Sequence, residues 1–390
     1  MRWKLLVLVS MFTATAATSD RPDMFGDPLP GLTPAQLSAF QAGVAEFTEV
    51  EEVGDGLGPV FNDRSCAACH SAPAAGGGSD RIVTRFGTTT NGAFDPLAQF
   101  GGSLIQEKSI GPADLAGIHQ FTAETVPAAA TIVVHRRTTP LFGLGLVDTI
   151  SDADFAALAA KEAAQGDGTA GRVSMVADLV HGGQSVGKFG WKAQVPNLMQ
   201  FSADAYLNEM GITSPLFPNE NCPNGNCAEL AYNPMPGLND TRGGVQKFND
   251  FMTLLAPPAR VARRDRTGDA GERTFAEIGC ASCHTPALRS GSSPVAALSN
   301  KTFHPYSDFL LHDMGALGDG IAQGAATGSE TRTAPLWGLR MMTRYLHDGR
   351  AASVEAAILA HDGQGKAARD RFARLDERRK SSLLAFLNSL

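Results

Sequence analysis

Near the C-terminus, apolar residues recur at helical spacing. Leu383, Phe386, Leu387 and Leu390 fall at i, i+3, i+4 and i+7. At 3.6 residues per turn they form one stripe, which predicts a C-terminal helix with a face to bury. Upstream, Ser353 suits an N-cap, and Ala356, Ala357 and Leu359 favour helix after it, so a second helix is expected to run up to His361. At the other end, Leu5 to Phe12 is a short apolar run behind Arg2 and Lys4, and Ala14-Thr15-Ala16 follows it. Basic start, apolar run and small-residue triplet predict a signal peptide over residues 1–16, and with it export to the periplasm. The run is too short to cross a bilayer, and no later segment reads as transmembrane, so an integral membrane protein is not expected.

Between these ends the pattern is interrupted by glycine (42 residues) and proline (22), which predicts long ordered loops around a modest amount of regular structure. The 390 residues, 43% of them hydrophobic, suffice for two cores. LAPPAR (255–260) and the polar stretch to Asp269 read as a linker. A net charge of −7 with no basic block argues against nucleic acid as a partner.

Six cysteines carry the chemistry. Four lie in CAACH (66–70) and CASCH (280–284). Two thiols one turn apart can reach the vinyl groups on one edge of a porphyrin, and the histidine that follows can bind the iron. One such pentapeptide would also suit a zinc site or a redox dithiol. Two of them in an exported chain, each with its own histidine, point to two covalently bound c-type haems at Cys66, Cys69 and His70 and at Cys280, Cys283 and His284. Cys222 and Cys227 remain, in CPNGNC. An oxidising compartment favours a disulfide closing this turn. The alternative, a catalytic dithiol, is weaker because nothing nearby in sequence would lower a thiol pKa.

The chain also repeats itself. FNDRSCAACH (61–70) answers FAEIGCASCH (275–284), and RTTPLFGLG (137–145) answers RTAPLWGLR (332–340). The expected fold is therefore mainly α: two tandem cytochrome c-like haem domains with long loops and an insertion in the first. The expected boundaries are 17–255, a linker at 256–269, and 270–390.

Together with RTTPLFGLGLVD (137–148), KFGWKA (188–193), EMGITSPLFP (209–218), HPYSDFLLHDMG (304–315), RTAPLWGL (332–339) and YLHDGRA (345–351), these motifs resemble the bacterial di-haem cytochrome c peroxidase superfamily, and more closely its di-haem oxidoreductase branch. The resemblance implies that hydrogen peroxide is reduced at the N-terminal haem with electrons relayed by the C-terminal one. A redox protein or small molecule would supply them. It implies a distal acid at Glu209, sixteen residues beyond Ala193 and followed by Met210. It also implies a calcium ion between the halves, near Thr333 and Pro335, and admits a homodimer. Two positions depart from the family. Where the second iron's methionine is expected, twelve residues after Gly349, stands His361. An imidazole there lowers the haem potential relative to a thioether. No histidine occurs over residues 71–118, where the family places one that blocks the first iron at rest; His135 is the remaining candidate.

Among the other histidines, His347 is expected between the halves and His304 and His312 in loops or at a propionate. Arg137 and Arg332 suit propionate pairing through their bidentate forks, or are ordinary surface arginines. Two rival readings stand beside the peroxidase. One is an electron-transfer protein with both irons saturated. The other is a di-haem oxygenase or protein-modifying enzyme, which the departure at His361 keeps open.

Overall fold

The computed structural model describes residues 25–113, 117–261 and 267–390; the expected signal peptide, and 262–266 of the expected linker, lie outside the described residues. The helices are α1 (Pro34–Thr48), α2 (Leu144–Asp148), α3 (Asp152–Ala163), α4 (Leu198–Met210), α5 (Gly244–Leu254), α6 (Thr267–Glu277), α7 (Val354–Ala360), α8 (Lys366–Ala373) and α9 (Glu377–Leu387). Their starts follow from capping. Thr33 and Gln36 form a capping box at α1, with Pro34 in its first turn. Ser353 caps α7 by accepting from the Ala356 N–H, and α7 ends at His361, as the sequence predicts. The apolar stripe of α9 is also as expected, with Leu383, Phe386, Leu387 and Leu390 all buried.

Each CxxCH motif follows a helix packed on another, α1 on α5 and α6 on α9. Both crossings depend on a glycine. A Cβ on Gly43 would sit 2.7 Å from Phe251 Cβ, and one on Gly271 would sit 2.6 Å from Phe386 Cβ. In each pair the first helix also carries a phenylalanine to the motif histidine: Phe47 lies 6.1 Å from the His70 ring and Phe275 6.4 Å from that of His284.

The mainly-α expectation is corrected. Of the described residues, 34% are helical and 15% strand, a mixed fold with small antiparallel sheets. Three-stranded pairing joins β2 (Ile82–Thr90) to β3 (Ala93–Asp95) and β5 (Ile132–Arg137). Its strands are rich in Ile, Val and Thr, whose branched side chains suit a pleated surface. Two-stranded ribbons pair β1 (Val60–Phe61) with β4 (Lys108–Ser109), β6 (Met175–Ala177) with β7 (Gln184–Val186), β8 (Leu288–Arg289) with β9 (Thr302–Phe303), and β10 (Leu311–Asp313) with β11 (Glu330–Arg332). Much of what reads as loop thus satisfies its backbone as ribbon, because a compact chain must pair its buried N–H and C=O groups.

The tandem division is corrected with it. One apolar cluster joins Phe47, Phe251 and Leu255 to Leu298, Phe303, Phe309 and Trp337, across the expected boundary at 256–269. A smaller one gathers Phe275, Phe372, Leu383 and Phe386. Burying a side chain such as Phe251 or Phe386 contributes about 1.5–3 kcal/mol.

Candidate haem sites

At the second motif, Cys280–Ser282 forms a tight turn, and the His284 N–H donates to the Cys280 carbonyl at 2.9 Å. The His284 ring is oriented by its Nδ1, 2.9 Å from the Tyr306 carbonyl. His361, the residue that ends α7, is held in the same way, its Nδ1 2.7 Å from the Ala357 carbonyl. Each ring is left with Nε2 as its free donor atom. Burial pushes His284 down to about 4 and His361 below its usual value, so both imidazoles are neutral, as iron ligands must be. Their ring centroids are 6.4 Å apart. Two imidazoles on opposite sides of one metal ion, with bonds of ~2.0 Å, have centroids roughly 6.3 Å apart. His284, His361, Cys280 and Cys283 border one cavity of about 280 Å³, walled also by Met314, Leu336 and Ile358. This donor set fits a haem with two histidine ligands.

At the first motif, the His70 N–H donates to the Cys66 carbonyl at 3.0 Å, and His70 Nδ1 lies 3.1 Å from the Gly77 carbonyl. Burial pushes this histidine down to about 4 as well. The thiols move the other way. Burial raises Cys66, takes Cys69 to about 11 and Cys280 to about 12. Neutral thiols are poor nucleophiles, which argues against a redox dithiol at either motif. Cys222 and Cys227 are joined as a disulfide.

Glu209 comes to the first motif from the last turn of α4. Its carbonyl accepts from the Asn62 and Asp63 N–H groups at 2.8 and 3.3 Å, and its Oε2 accepts from Asn62 Nδ2 at 2.8 Å. Its charge is, after burial, the largest influence raising the Cys69 thiol, so it stands near that edge of the site. Burial raises the Glu209 carboxyl, while Asn62 and the Arg85 guanidinium oppose the rise. Arg85 is itself lowered to about 10 by burial, and Asp204, also raised by burial, faces it. The sequence reading placed Glu209 but missed Asn62, Arg85 and Asp204. Asn62 carried a signal, being part of the repeated segment before the cysteines; Arg85 lies on the unanticipated strand β2.

The two RTxPL copies brace each other across the chain. The Arg137 N–H donates to the His347 carbonyl and the Arg332 N–H to the Trp191 carbonyl, both at 2.8 Å. Trp191 Nε1 then donates to the Arg137 carbonyl at 2.9 Å, and its ring lies 6.1 Å from that of His347. Trp191, His347, Arg137 and Arg332 all border the 280 Å³ cavity, which reaches Thr139 beside His70. Arg332 Nε donates to the Gly190 carbonyl at 2.7 Å. The Thr333 carbonyl, expected near calcium, accepts from Ser307 Oγ at 2.7 Å and Arg332 Nη1 at 3.1 Å.

His135 is exposed and bonds Thr84 Oγ1 at 3.4 Å. His304 is held by the Pro286 carbonyl at 3.2 Å. His312 is buried with its Nε2 2.9 Å from Asp308 Oδ2, and that hydrogen bond helps to push it up to about 11 against burial. Among the described residues, Cys283, Asp308 and His312 group closely enough to hold a metal ion. In a haem reading that Cys283 sulfur is already taken. No helix among the described residues is long and apolar enough to cross a membrane.

Two CxxCH histidines, one beside a cavity that reaches Thr139 next to the other, suit a di-haem redox protein. Residues 127–390 match the family described as "Di-haem oxidoreductase, putative peroxidase", and the chain belongs to that family, whose name implies two haems. The matched span contains the second motif; the first precedes it. Among solved structures, the chain is similar to a MauG-like protein associated with microbial copper homeostasis, with 14% identity, a TM-score of 0.41, and 95% of this chain and 94% of that one covered. It is also similar to the hydrazine synthase of Kuenenia stuttgartiensis, with 11% identity, a TM-score of 0.39 and 100% of both chains covered. No curated protein matches.

Proposed function

We propose that the chain is an exported periplasmic di-haem c-type cytochrome that reduces hydrogen peroxide to water. In this reading Cys66 and Cys69, and Cys280 and Cys283, bind the two haems through thioethers. His70 is the protein ligand of the first iron, and His284 and His361 are both ligands of the second. Held by Cys280, Cys283, His284 and His361, the second haem would supply the relay for electrons from an external donor to the first. The haems, when bound, supply the iron redox chemistry that cleaves the O–O bond.

The observation that carries the reading is the half-buried Glu209 carboxyl near Cys69, hydrogen-bonded by Asn62. Cleaving peroxide requires a group that takes a proton from the inner oxygen and gives it to the outer one. A carboxylate raised by burial takes up a proton more readily than an ordinary one, and Asn62 aims its Oε2. Arg85, whose charge acts on Glu209, would stabilise negative charge that develops on the departing oxygen. Trp191 and His347, whose rings stand 6.1 Å apart on the cavity wall, would carry electrons between the sites. Arg137 and Arg332 border the cavity as partners for propionates, and the proposal includes no calcium.

The test is Glu209→Gln, which keeps the shape and removes the base. Rapid mixing of the holoprotein with peroxide is expected to show a loss of about 10²–10⁴-fold in the rate of the haem spectral change. A normal rate would sink the assignment of Glu209. Six-coordinate low-spin iron in both haems in every redox state, with no peroxide turnover, would favour a pure electron carrier.

A further inference from the structure

The peroxide reading leaves one buried acid–phenol pair unused. Tyr206 lies on α4, three residues before Glu209, and is 4% exposed. Its hydroxyl donates to Glu51 Oε1 at 2.7 Å, and Glu51 is 2% exposed. Glu51 Oε2 finds no hydrogen-bond donor among the described residues; the Arg242 guanidinium is 3.9 Å away. The pair is tied to the first motif. The Glu51 N–H donates to the Arg64 carbonyl at 2.7 Å and Arg64 Nε to the Glu51 carbonyl at 2.9 Å, two residues before Cys66. An aromatic chain leads back to the iron ligand: His70 to Phe47 at 6.1 Å, Phe47 to Phe248 at 6.4 Å, and Phe248 to Tyr206 at 5.0 Å.

Burial raises both groups, Tyr206 far above a normal phenol and Glu51 above a normal carboxyl, the latter also by repulsion from Glu49, Asp55 and Glu46. The phenol therefore does not ionise alone, and the carboxylate beside it is a stronger base than an exposed one. A tyrosine in that setting loses an electron readily only if its proton leaves at the same time, and Glu51 Oε1 already accepts a hydrogen bond from that hydroxyl.

We propose that Tyr206 and Glu51 form a proton-coupled electron donor to the first haem, a reserve site that holds one oxidising equivalent when the external donor is late. The proposal rests on the peroxide reading, since the oxidant is the peroxide-oxidised first haem. Tyr206 gives one electron to that haem and its phenolic proton to Glu51. The haem is reduced by one electron, Tyr206 becomes a neutral radical and Glu51 a neutral acid. An electron from the external donor and the proton returning from Glu51 restore the pair. Storing the equivalent here keeps it away from solvent and from exposed side chains, which it would otherwise oxidise.

The experiment mixes the holoprotein with peroxide in the absence of donor, freezes it within milliseconds to seconds, and records the electron paramagnetic resonance spectrum alongside the haem absorbance. The expected result is a neutral tyrosyl signal that narrows when the protein carries ring-deuterated tyrosine. The chain has four tyrosines, Tyr206, Tyr232, Tyr306 and Tyr345. Tyr206→Phe should reduce the signal to background while haem oxidation proceeds at its normal rate. Glu51→Gln, which removes the base and keeps the phenol, should do the same, and it carries the test if Tyr206→Phe fails to fold. A tyrosyl signal that survives both changes, or haem oxidation without any tyrosyl signal, overturns the proposal. If peroxide leaves the haem spectrum unchanged, the peroxide reading fails. Flash-quench photo-oxidation with a ruthenium tris-bipyridine complex then decides the pair separately: a radical lost in Tyr206→Phe supports it, and no such radical overturns it.

Discussion

Asn62→Ala tests how the first site sets the carboxyl proposed as its acid. Asn62 Nδ2 donates to Glu209 Oε2 at 2.8 Å, and Asn62 Oδ1 accepts from the Glu107 N–H at 3.1 Å. A hydrogen bond to a charged group contributes about 1.5–3 kcal/mol. Losing it penalises only the carboxylate form of Glu209, which changes the carboxyl's ionisation constant by roughly 10–150-fold. The sign follows from the burial. Glu209 is already raised by desolvation, and the Asn62 hydrogen bond is the strongest influence opposing that rise. Without it the carboxyl rises further, so a higher pH is needed before Glu209 can act as base. The assay is the rate of the haem spectral change with peroxide, measured by stopped flow across pH. The acid limb should move to higher pH, while the rate at the alkaline plateau stays within a few-fold of the parent. An acid limb that does not move, or moves to lower pH, refutes the argument that this hydrogen bond tunes the catalytic carboxyl.

Three further outcomes are expected. His361→Ala removes one of the two imidazoles that stand 6.4 Å apart, so the second haem should turn high-spin and its potential should rise; an unchanged low-spin spectrum would move the assignment to Met314, which borders the same cavity. Replacing Cys66 and Cys69 together, or Cys280 and Cys283 together, should each remove one of two haems in a haem stain of a denaturing gel, and retention of both would refute covalent attachment. Gly271→Val drives a side chain into Phe386 at the α6–α9 crossing, which should cost about 1–3 kcal/mol, seen as a lower denaturation midpoint of the holoprotein; an unmoved midpoint would show that the helices part freely.

What could be read from the chain in one dimension is what local spacing encodes. The CxxCH pentapeptides, the α9 stripe, the Ser353 cap and the short loop between Cys222 and Cys227 are each complete within a few residues. His361 was singled out by the family resemblance, twelve residues after Gly349, and it also ends a helix that the Ser353 cap makes legible. The mainly-α expectation failed where the local code is weak. Strands of two or three residues, such as β1 or β9, are too short to show alternation, and β2 and β5 lie far apart in sequence, so the register Ile82 to Arg137 exists only once the chain has closed on itself. Tertiary structure alone decided the surroundings of the acids. Glu209 meets Asn62 and Arg85, Tyr206 meets Glu51, and Arg137 and Arg332 are joined through Trp191, by contacts between segments remote in the chain. Desolvation and facing charges, which set what a carboxyl or phenol can do, depend on distance in space and leave no trace in the order of residues.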